Sequence, residues 1–229
     1  KDGGVIIANH EDHYVRRLLN NSKLPKVKVI WYGKGSGNNE MIKLDLSLEG
    51  EHNYSNVLAA LAVADLLNID HKICDKVFIS FKGAKRRLEY LGEYKKALLY
   101  DDYGHHPTEI KATIAALKNK YPERKLFVIF WPHQYKRVLP LIKKFSESFT
   151  GAEEVFIKKI FFVPGRDEIL DISSKDLAEL VRKHGIKATA FNENEEIKKR
   201  IKGISEEESV ILTIGIPPIY KLLEELIGE

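Results

Sequence analysis

Several things are scarce in this 229-residue chain, and each scarcity narrows the reading. It has one cysteine, Cys74, so no internal disulfide can form; set in an apolar helical pattern, Cys74 reads as buried filler in a reducing compartment. No apolar run reaches membrane-spanning length, and the first residues show no basic stretch followed by an apolar one, so a cytoplasmic, membrane-free protein is expected. Net charge is also small. Thirty-seven Lys and Arg stand against 33 Asp and Glu, giving +4. The basic residues are scattered among glutamates rather than gathered in a stripe, which suits an anionic ligand and argues against a nucleic-acid partner. With 44% hydrophobic and 31% charged residues, no internal repeat and no low-complexity tract, the composition excludes a disordered chain.

A phosphate loop is absent too. The glycine-rich run Gly33-Lys34-Gly35-Ser36-Gly37-Asn38-Asn39 lacks the G-x-x-x-x-G-K-[ST] spacing. The Met41–Leu46 segment after it alternates like a strand instead of opening a helix, so a hairpin loop is expected.

What is present is a regular alternation. Gly4–Ala8 and Val27–Tyr32 read as strands, with a helix between them capped by Asn9. Helices are expected from about Tyr54 to Leu67 and His71 to Phe81. The Tyr54 helix carries an apolar stripe of Val57, Leu58, Leu61, Ala62 and Leu66. A strand over Leu88–Glu93 pairs with Lys96–Tyr100. Thereafter come a helix over Thr108–Lys120 with Ile110, Ile114, Ala115 and Leu117 inward, a strand over Lys125–Phe130, and a helix over Gln134–Phe149 interrupted by Pro140. A strand over Glu154–Ile157 leads into an irregular segment, and a helix capped by Ser174 stops at Gly185. A strand over Ala188–Phe191, a helix over Glu193–Ile201, a strand over Ser209–Ile214 and a last helix over Ile219–Leu226 complete the chain. Strands alternating with helices of this length imply crossover units and a mostly parallel sheet. The regular alternation starts near Gly104, which places a boundary there.

The densest stretch is Tyr100-Asp101-Asp102-Tyr103-Gly104-His105-His106-Pro107-Thr108-Glu109. It joins a strand to a helix whose first turn tolerates Pro107. In open α/β sheets such a junction, at the carboxyl end of a strand, borders the ligand crevice. Three further motifs accompany it: Gly50-Glu51-His52-Asn53-Tyr54-Ser55-Asn56, Gly83-Ala84-Lys85-Arg86-Arg87-Leu88-Glu89, and Trp131-Pro132-His133-Gln134-Tyr135-Lys136-Arg137. Asn53 and Asn56 are one helical turn apart and can face one ligand, an amide offering the donor and acceptor that adenine presents. His105 and Glu109, with His106, could also be read as metal ligands, but Pro107 and the lack of further ligands weigh against it.

Together, and in this order, the four motifs resemble those of the Mur ligases. The resemblance implies an α/β protein: an incomplete central ATPase-type domain over residues 1–103, then a Rossmann-like, mostly parallel, doubly wound amino-acid-binding domain over residues 104–229. It implies an ATP-dependent acid–amino-acid ligase of peptidoglycan precursor synthesis, adding an amino acid, L-alanine first, to UDP-N-acetylmuramate through an acyl phosphate. Implied nucleotide contacts are Asn53, Asn56, Arg87 and Asp102. Implied acceptor contacts are Tyr103, His105, Gln134 and Arg137, with His105 a candidate proton acceptor; Asp101 and His106 read as structural. ATP and Mg²⁺ are the implied cofactors. The metal ligands and phosphate loop are expected upstream of Lys1, in a missing amino-terminal portion, so the chain alone is expected to be inactive. Two departures stand out. Gln134 occupies a position where the family has arginine, and Gly215-Ile216-Pro217-Pro218 replaces a Gly-Ala-Gly-Asp turn. A ligase joining a peptide to the same sugar nucleotide, and a non-catalytic nucleotide-binding module, are the alternatives.

Overall fold

The computed structural model describes residues 3–22, 26–36, 51–81, 83–205 and 208–228. The expected strand over Met41–Leu46, the following segment to Gly50 and the glycine-run residues Gly37 to Asn39 lie outside these residues. The chain forms two compact units, Lys1–Gly83 and Ala84–Glu229.

In the first unit, strands β1 (Val5–Asn9) and β2 (Lys28–Tyr32) pair in parallel, Val5 opposite Lys28 and Asn9 opposite Tyr32. The helix between them, α1 (His13–Asn21), is capped by Asp12, whose carboxylate accepts the N–H groups of Tyr14 and Val15. Asn9, the expected cap, lies too far upstream and accepts the Glu11 N–H instead. Helices α2 (Glu51–Leu66) and α3 (His71–Ser80) follow. Leu61 and Ala64 of α2 bury Cys74 of α3, with Val57 and Phe78 alongside. Leu58 and Ala62 are also buried, whereas Leu66, in the last turn of α2, is exposed.

The second unit is a six-stranded sheet in the order β3-β4-β8-β5-β6-β7. Its strands are β3 (Glu89–Tyr94), β4 (Ala97–Asp102), β5 (Lys125–Phe130), β6 (Glu154–Lys158), β7 (Lys187–Phe191) and β8 (Ser209–Ile214). Only β3 runs antiparallel, on the β4 edge. Alternation with a period of two sends side chains to opposite faces. From β5, Leu126, Val128 and Phe130 enter one core, with residues of α4 (Pro107–Lys120), α5 (Tyr135–Glu147) and α6 (Ser174–Lys183). Phe127 and Ile129 enter the other, with Ile197 and Ile201 of α7 (Asn194–Ile204) and Leu222, Leu223 and Leu226 of α8 (Lys221–Ile227). The sheet is therefore wound on both faces, the architecture expected.

The boundary near Gly104 is corrected. β4 pairs with β8 from Ala97 opposite Ser209 to Asp102 opposite Ile214, so it is an interior strand of the second sheet, and the compact units divide after Gly83. Three local readings change as well. Ser173, not Ser174, caps α6, because its hydroxyl reaches the Asp176 N–H. Ala115 is exposed on α4, where Ile110, Ile114 and Leu117 fill the core. Pro140 is accommodated within α5 without ending it.

Candidate functional site

In the first unit, a cavity of about 290 Å³ opens between α2 and the α3 region. Its lining is Asn53, Asn56, Val57, Ala60, Val77, Phe78 and Phe81. Among the described residues, the two amides are its only polar lining. An apolar slot with a few placed polar groups is the usual form of a small-molecule site, and this one lies near the lower size limit of about 300 Å³. Two ring-bearing walls and two amides suit a flat heteroaromatic ring bearing a donor and an acceptor.

In the second unit, the strand order sets where a site forms. β4 and β5 run on into helices on one face of the sheet and β8, between them, into α8 on the other, so the connections diverge at the carboxyl ends of these three strands. That divergence opens a crevice at the carboxyl ends of these strands.

The β4 end is held tightly. Asp101 is fully buried, accepting from Arg86 Nε at 2.8 Å and from the Thr213 hydroxyl at 2.7 Å. Burial raises its pKa above the ordinary carboxylate value, and these two donors offset the effect only in part. Asp102 is buried as well. Its oxygens accept the N–H groups of Gly104 at 2.6 Å and Leu88 at 2.7 Å, and burial raises its pKa against these bonds. Both oxygens are thus engaged by backbone, fixing the turn that Gly104 makes; a Cβ there would lie 2.7 Å from Asp102 Oδ1. The structure thereby gives Asp102 an architectural task the sequence did not disclose.

Beyond the turn, His106 caps α4, its ring accepting the Thr108 N–H, and Glu109 closes the capping box by accepting the N–H groups of His105 (2.9 Å) and His106 (3.0 Å). Burial opposes ionisation of Glu109, but those N–H groups, with His105 and Arg87 nearby, hold its pKa below the usual value. His105 Nδ1 lies 3.2 Å from the Tyr103 carbonyl. With Nδ1–H donated there, Nε2 is left as a lone-pair acceptor, the form a proton acceptor needs. The Tyr103 ring meets His105 edge-on at 5.5 Å and lies beneath the guanidinium groups of Arg86 and Arg87.

The β5 end supplies the acceptor-side residues. Gln134 takes the left-handed backbone (φ 68°) at the start of α5, and its N–H donates to the Phe161 carbonyl. The N–H groups of Tyr135 and Lys136 go to the Asp167 carboxylate at 2.9 and 3.1 Å, so a residue from the long loop after β6 caps α5 where Gln134 does not. Phe161 stacks on the His133 ring at 5.6 Å. Among the described residues, His133 Nδ1 and Arg137 Nη1 are both buried and have no hydrogen-bond partner. Burial, Arg137 and His105 together lower the His133 pKa, so its ring is neutral at physiological pH. Two buried polar atoms left open on one motif suit an incoming polar group.

The structure therefore groups Tyr103, His105 and Arg87 at the β4 end and Gln134 and Arg137 at the β5 end, while Asn53 and Asn56 line the cavity of the first unit. Arg86, Phe161 and Asp167 were missed. Arg86 was overshadowed by its twin, and the other two lie in a loop with no periodic pattern to read. Among the described residues, no three His, Cys, Asp or Glu side chains converge on a point that could hold a metal ion; His105 and Glu109 are occupied with the helix cap. No helix among these residues is long and apolar enough to cross a membrane.

Comparison with known proteins fits this geometry. A family profile described as "Mur ligase, glutamate ligase domain" matches residues 86–216, more than half of the chain. A UDP-N-acetylmuramate–L-alanine ligase of Clostridium acetobutylicum is 33% identical over 248 aligned positions, covering 99% of this chain and 53% of the relative. Another, from Caldanaerobacter subterraneus, is 39% identical over 184 positions, covering 80% and 40%. The chain thus spans about half the length of the curated relatives it matches. Among solved structures, a murein peptide ligase from Psychrobacter arcticus superposes with a TM-score of 0.72 at 20% identity, over 98% of this chain and 51% of that one. A UDP-N-acetylmuramate–alanine ligase from Thermotoga maritima gives 0.65 at 24% identity, over 83% and 40%. The fold, the four motifs and the profile agree, and the chain belongs to the Mur ligase family.

Proposed function

We propose that the protein carrying this chain is an ATP-dependent ligase joining L-alanine to the carboxylate of UDP-N-acetylmuramate, the reaction after which its relatives are named. The observation that carries this reading is the buried, unpartnered pair His133 Nδ1 and Arg137 Nη1 at the switch-point crevice. An unmet buried guanidinium N–H is costly, and a carboxylate satisfies it with a charge-assisted bond.

ATP supplies the phosphoryl group that turns the muramoyl carboxylate into an acyl phosphate. The residues of this chain bear on the acceptor and on the nucleotide's base. Arg137 and His133 hold the acceptor's carboxylate, with Gln134 at their side. Tyr103 walls the acceptor, and His105 Nε2 receives the proton that the amine loses as it attacks the acyl carbon, the C–O bond to phosphate breaking and inorganic phosphate leaving. In the first unit, Asn53 and Asn56 hold adenine within the apolar slot; in the second, Arg87 is the nucleotide contact. Asp102, with both oxygens committed to backbone, acts on the ribose by holding the turn more readily than by direct contact. Residues 1–83 are then part of the ATP-binding domain and the second unit is the amino-acid-binding domain. Among the described residues, no three His, Cys, Asp or Glu side chains gather to hold the Mg²⁺ that the family implies. A reaction that consumes ATP and a sugar nucleotide suits the cytoplasm, the compartment proposed for it.

Steady-state ADP release by the full-length protein tests this. Turnover should require both UDP-N-acetylmuramate and L-alanine. Arg137→Ala should raise the L-alanine KM roughly 10- to 150-fold, from the loss of a charge-assisted bond worth about 1.5–3 kcal/mol. ADP release independent of L-alanine, or an unchanged KM, would sink the assignment.

A further inference from the structure

Arg86 is tied to more of the crevice than any residue named so far. Its N–H donates to Glu89 at 2.6 Å and its carbonyl accepts the Tyr103 N–H at 2.7 Å. Its guanidinium donates through Nε to Asp101 at 2.8 Å, through Nη1 to the Ile216 carbonyl at 2.7 Å, and through Nη2 to the carbonyls of Gly215 at 2.6 Å and Pro217 at 3.3 Å. The cation also lies between two rings, Tyr103 at 5.2 Å and Tyr220 at 4.9 Å. To reach them, Arg86 and Leu88 take left-handed backbone, φ 59° and 47°. Non-glycine residues hold such conformations only where the surroundings over-determine them, and that occurs most often at functional sites.

The partners explain an oddity of the sequence. A turn after a strand at a switch point ordinarily offers N–H groups to an anion. Here Pro217 and Pro218 have no N–H, the Gly215 N–H is spent on the Asp102 carbonyl at 3.0 Å, and three consecutive carbonyls converge on one cation. The turn is a receptor for Arg86, not for phosphate. A planar fork with five donors can serve four acceptors at once, which an ammonium cannot.

We infer that Arg86 is a positioning residue for the acceptor side of the site: by clamping the Gly215–Pro218 turn to Asp101 and Tyr103, it fixes the Tyr103–His105 segment against the β5 motif. The role rests on the ligase reading above, but one of its tests does not. In the folded 229-residue chain, Arg86→Gln should speed amide hydrogen exchange at Tyr103, Gly104, His105 and Gly215 at least tenfold while leaving Val128 and Val155, in the interior of the sheet, unchanged. In the full-length enzyme, Arg86→Gln and Arg86→Lys should each raise the L-alanine KM about tenfold and lower kcat, with the UDP-N-acetylmuramate KM unmoved. A merely structural role would reduce the active fraction, lowering kcat alone. Should Arg86→Gln fail to fold, Tyr220→Leu keeps every hydrogen bond and removes one ring, and should give the same pattern at about threefold. Unchanged exchange at those amides overturns the inference whether or not the parent enzyme ligates alanine. So does restoration of the parental KM by Arg86→Lys. An inactive parent with accelerated exchange in the variant would instead remove the ligase reading and leave the clamp standing.

Discussion

The Asp101 carboxylate and the Thr213 hydroxyl meet at 2.7 Å across neighbouring strands, where the β4–β8 register sets these two residues opposite one another. Both are fully buried. Burial raises the Asp101 pKa, and Arg86 and Thr213 are the donors that offset part of that cost. Thr213→Val keeps the shape and removes one of them. It should destabilise the second unit by roughly 1–3 kcal/mol, the cost of an unmet buried polar group, and Thr213→Ser should restore most of the loss. Urea denaturation would measure both; an unaltered midpoint for the valine variant would mean that Arg86 alone suffices for Asp101.

Glu109 behaves in the opposite sense with pH. Its carboxylate is bound in the folded chain by the His105 and His106 N–H groups, which outweigh its burial and set its pKa below the ordinary 4.5. A carboxyl with a lower pKa folded than unfolded adds stability above the unfolded value, and loses it as pH falls from 4.5 through the folded value. Glu109→Gln should therefore melt at a lower temperature than the parent at pH 7, with the gap closing as the solution is acidified below 4.5. A gap that stays constant with pH would mean that the carboxylate's charge plays no part in the cap.

How much of this was legible beforehand follows from range in the sequence. Strand β5 and its alternating faces could be read from Lys125–Phe130 itself, and the α4 start from Pro107 with Glu109 two positions on. The domain boundary could not, because β4 becomes an interior strand only through pairing with β8, more than a hundred positions later. Arg86 was equally hidden. Three of its partners are carbonyls near position 216, and backbone acceptors leave no trace in side-chain identity. Asp167 caps α5 from 32 positions away, beyond the reach of a local pattern. A motif is contiguous and can be read along the chain, whereas its support is assembled by the fold.

The cavity of the first unit makes a claim on base identity. If Asn53 and Asn56 read an adenine edge against the Phe78 and Phe81 walls, then Asn56→Ala in the full-length enzyme should cost about 1–3 kcal/mol of nucleotide binding. Preference for ATP over GTP should fall with it. Titration of both nucleotides would decide the point, and a variant that binds ATP less well with its preference intact would move base recognition off Asn56.

Gln134 is the sharpest departure from the family pattern, and the structure narrows what can compensate for it. A carboxylate at the β5 end has Arg137, whose Nη1 is buried and open, as its cationic partner. Lys136 cannot add a second charge there: it is exposed and pairs with Glu168 at 3.5 Å, its N–H already given to Asp167. His133 offers Nδ1, but burial and the neighbouring Arg137 lower its pKa, so it contributes a neutral ring. An arginine at position 134 would add a charge-assisted bond, about twice as strong as a neutral one. A gain of roughly 1–2 kcal/mol corresponds to a five- to thirty-fold lower L-alanine KM. Position 134 already holds left-handed backbone, φ 68°, with its N–H on Phe161, so arginine inherits the same conformation and its strain at no added cost. In the full-length enzyme, Gln134→Arg should thus lower the L-alanine KM and leave that for ATP alone. An unchanged or higher L-alanine KM in steady-state kinetics would mean that Gln134 does not face the carboxylate. The His133–Arg137 pair would then be shaped for an acceptor whose anionic group sits deeper.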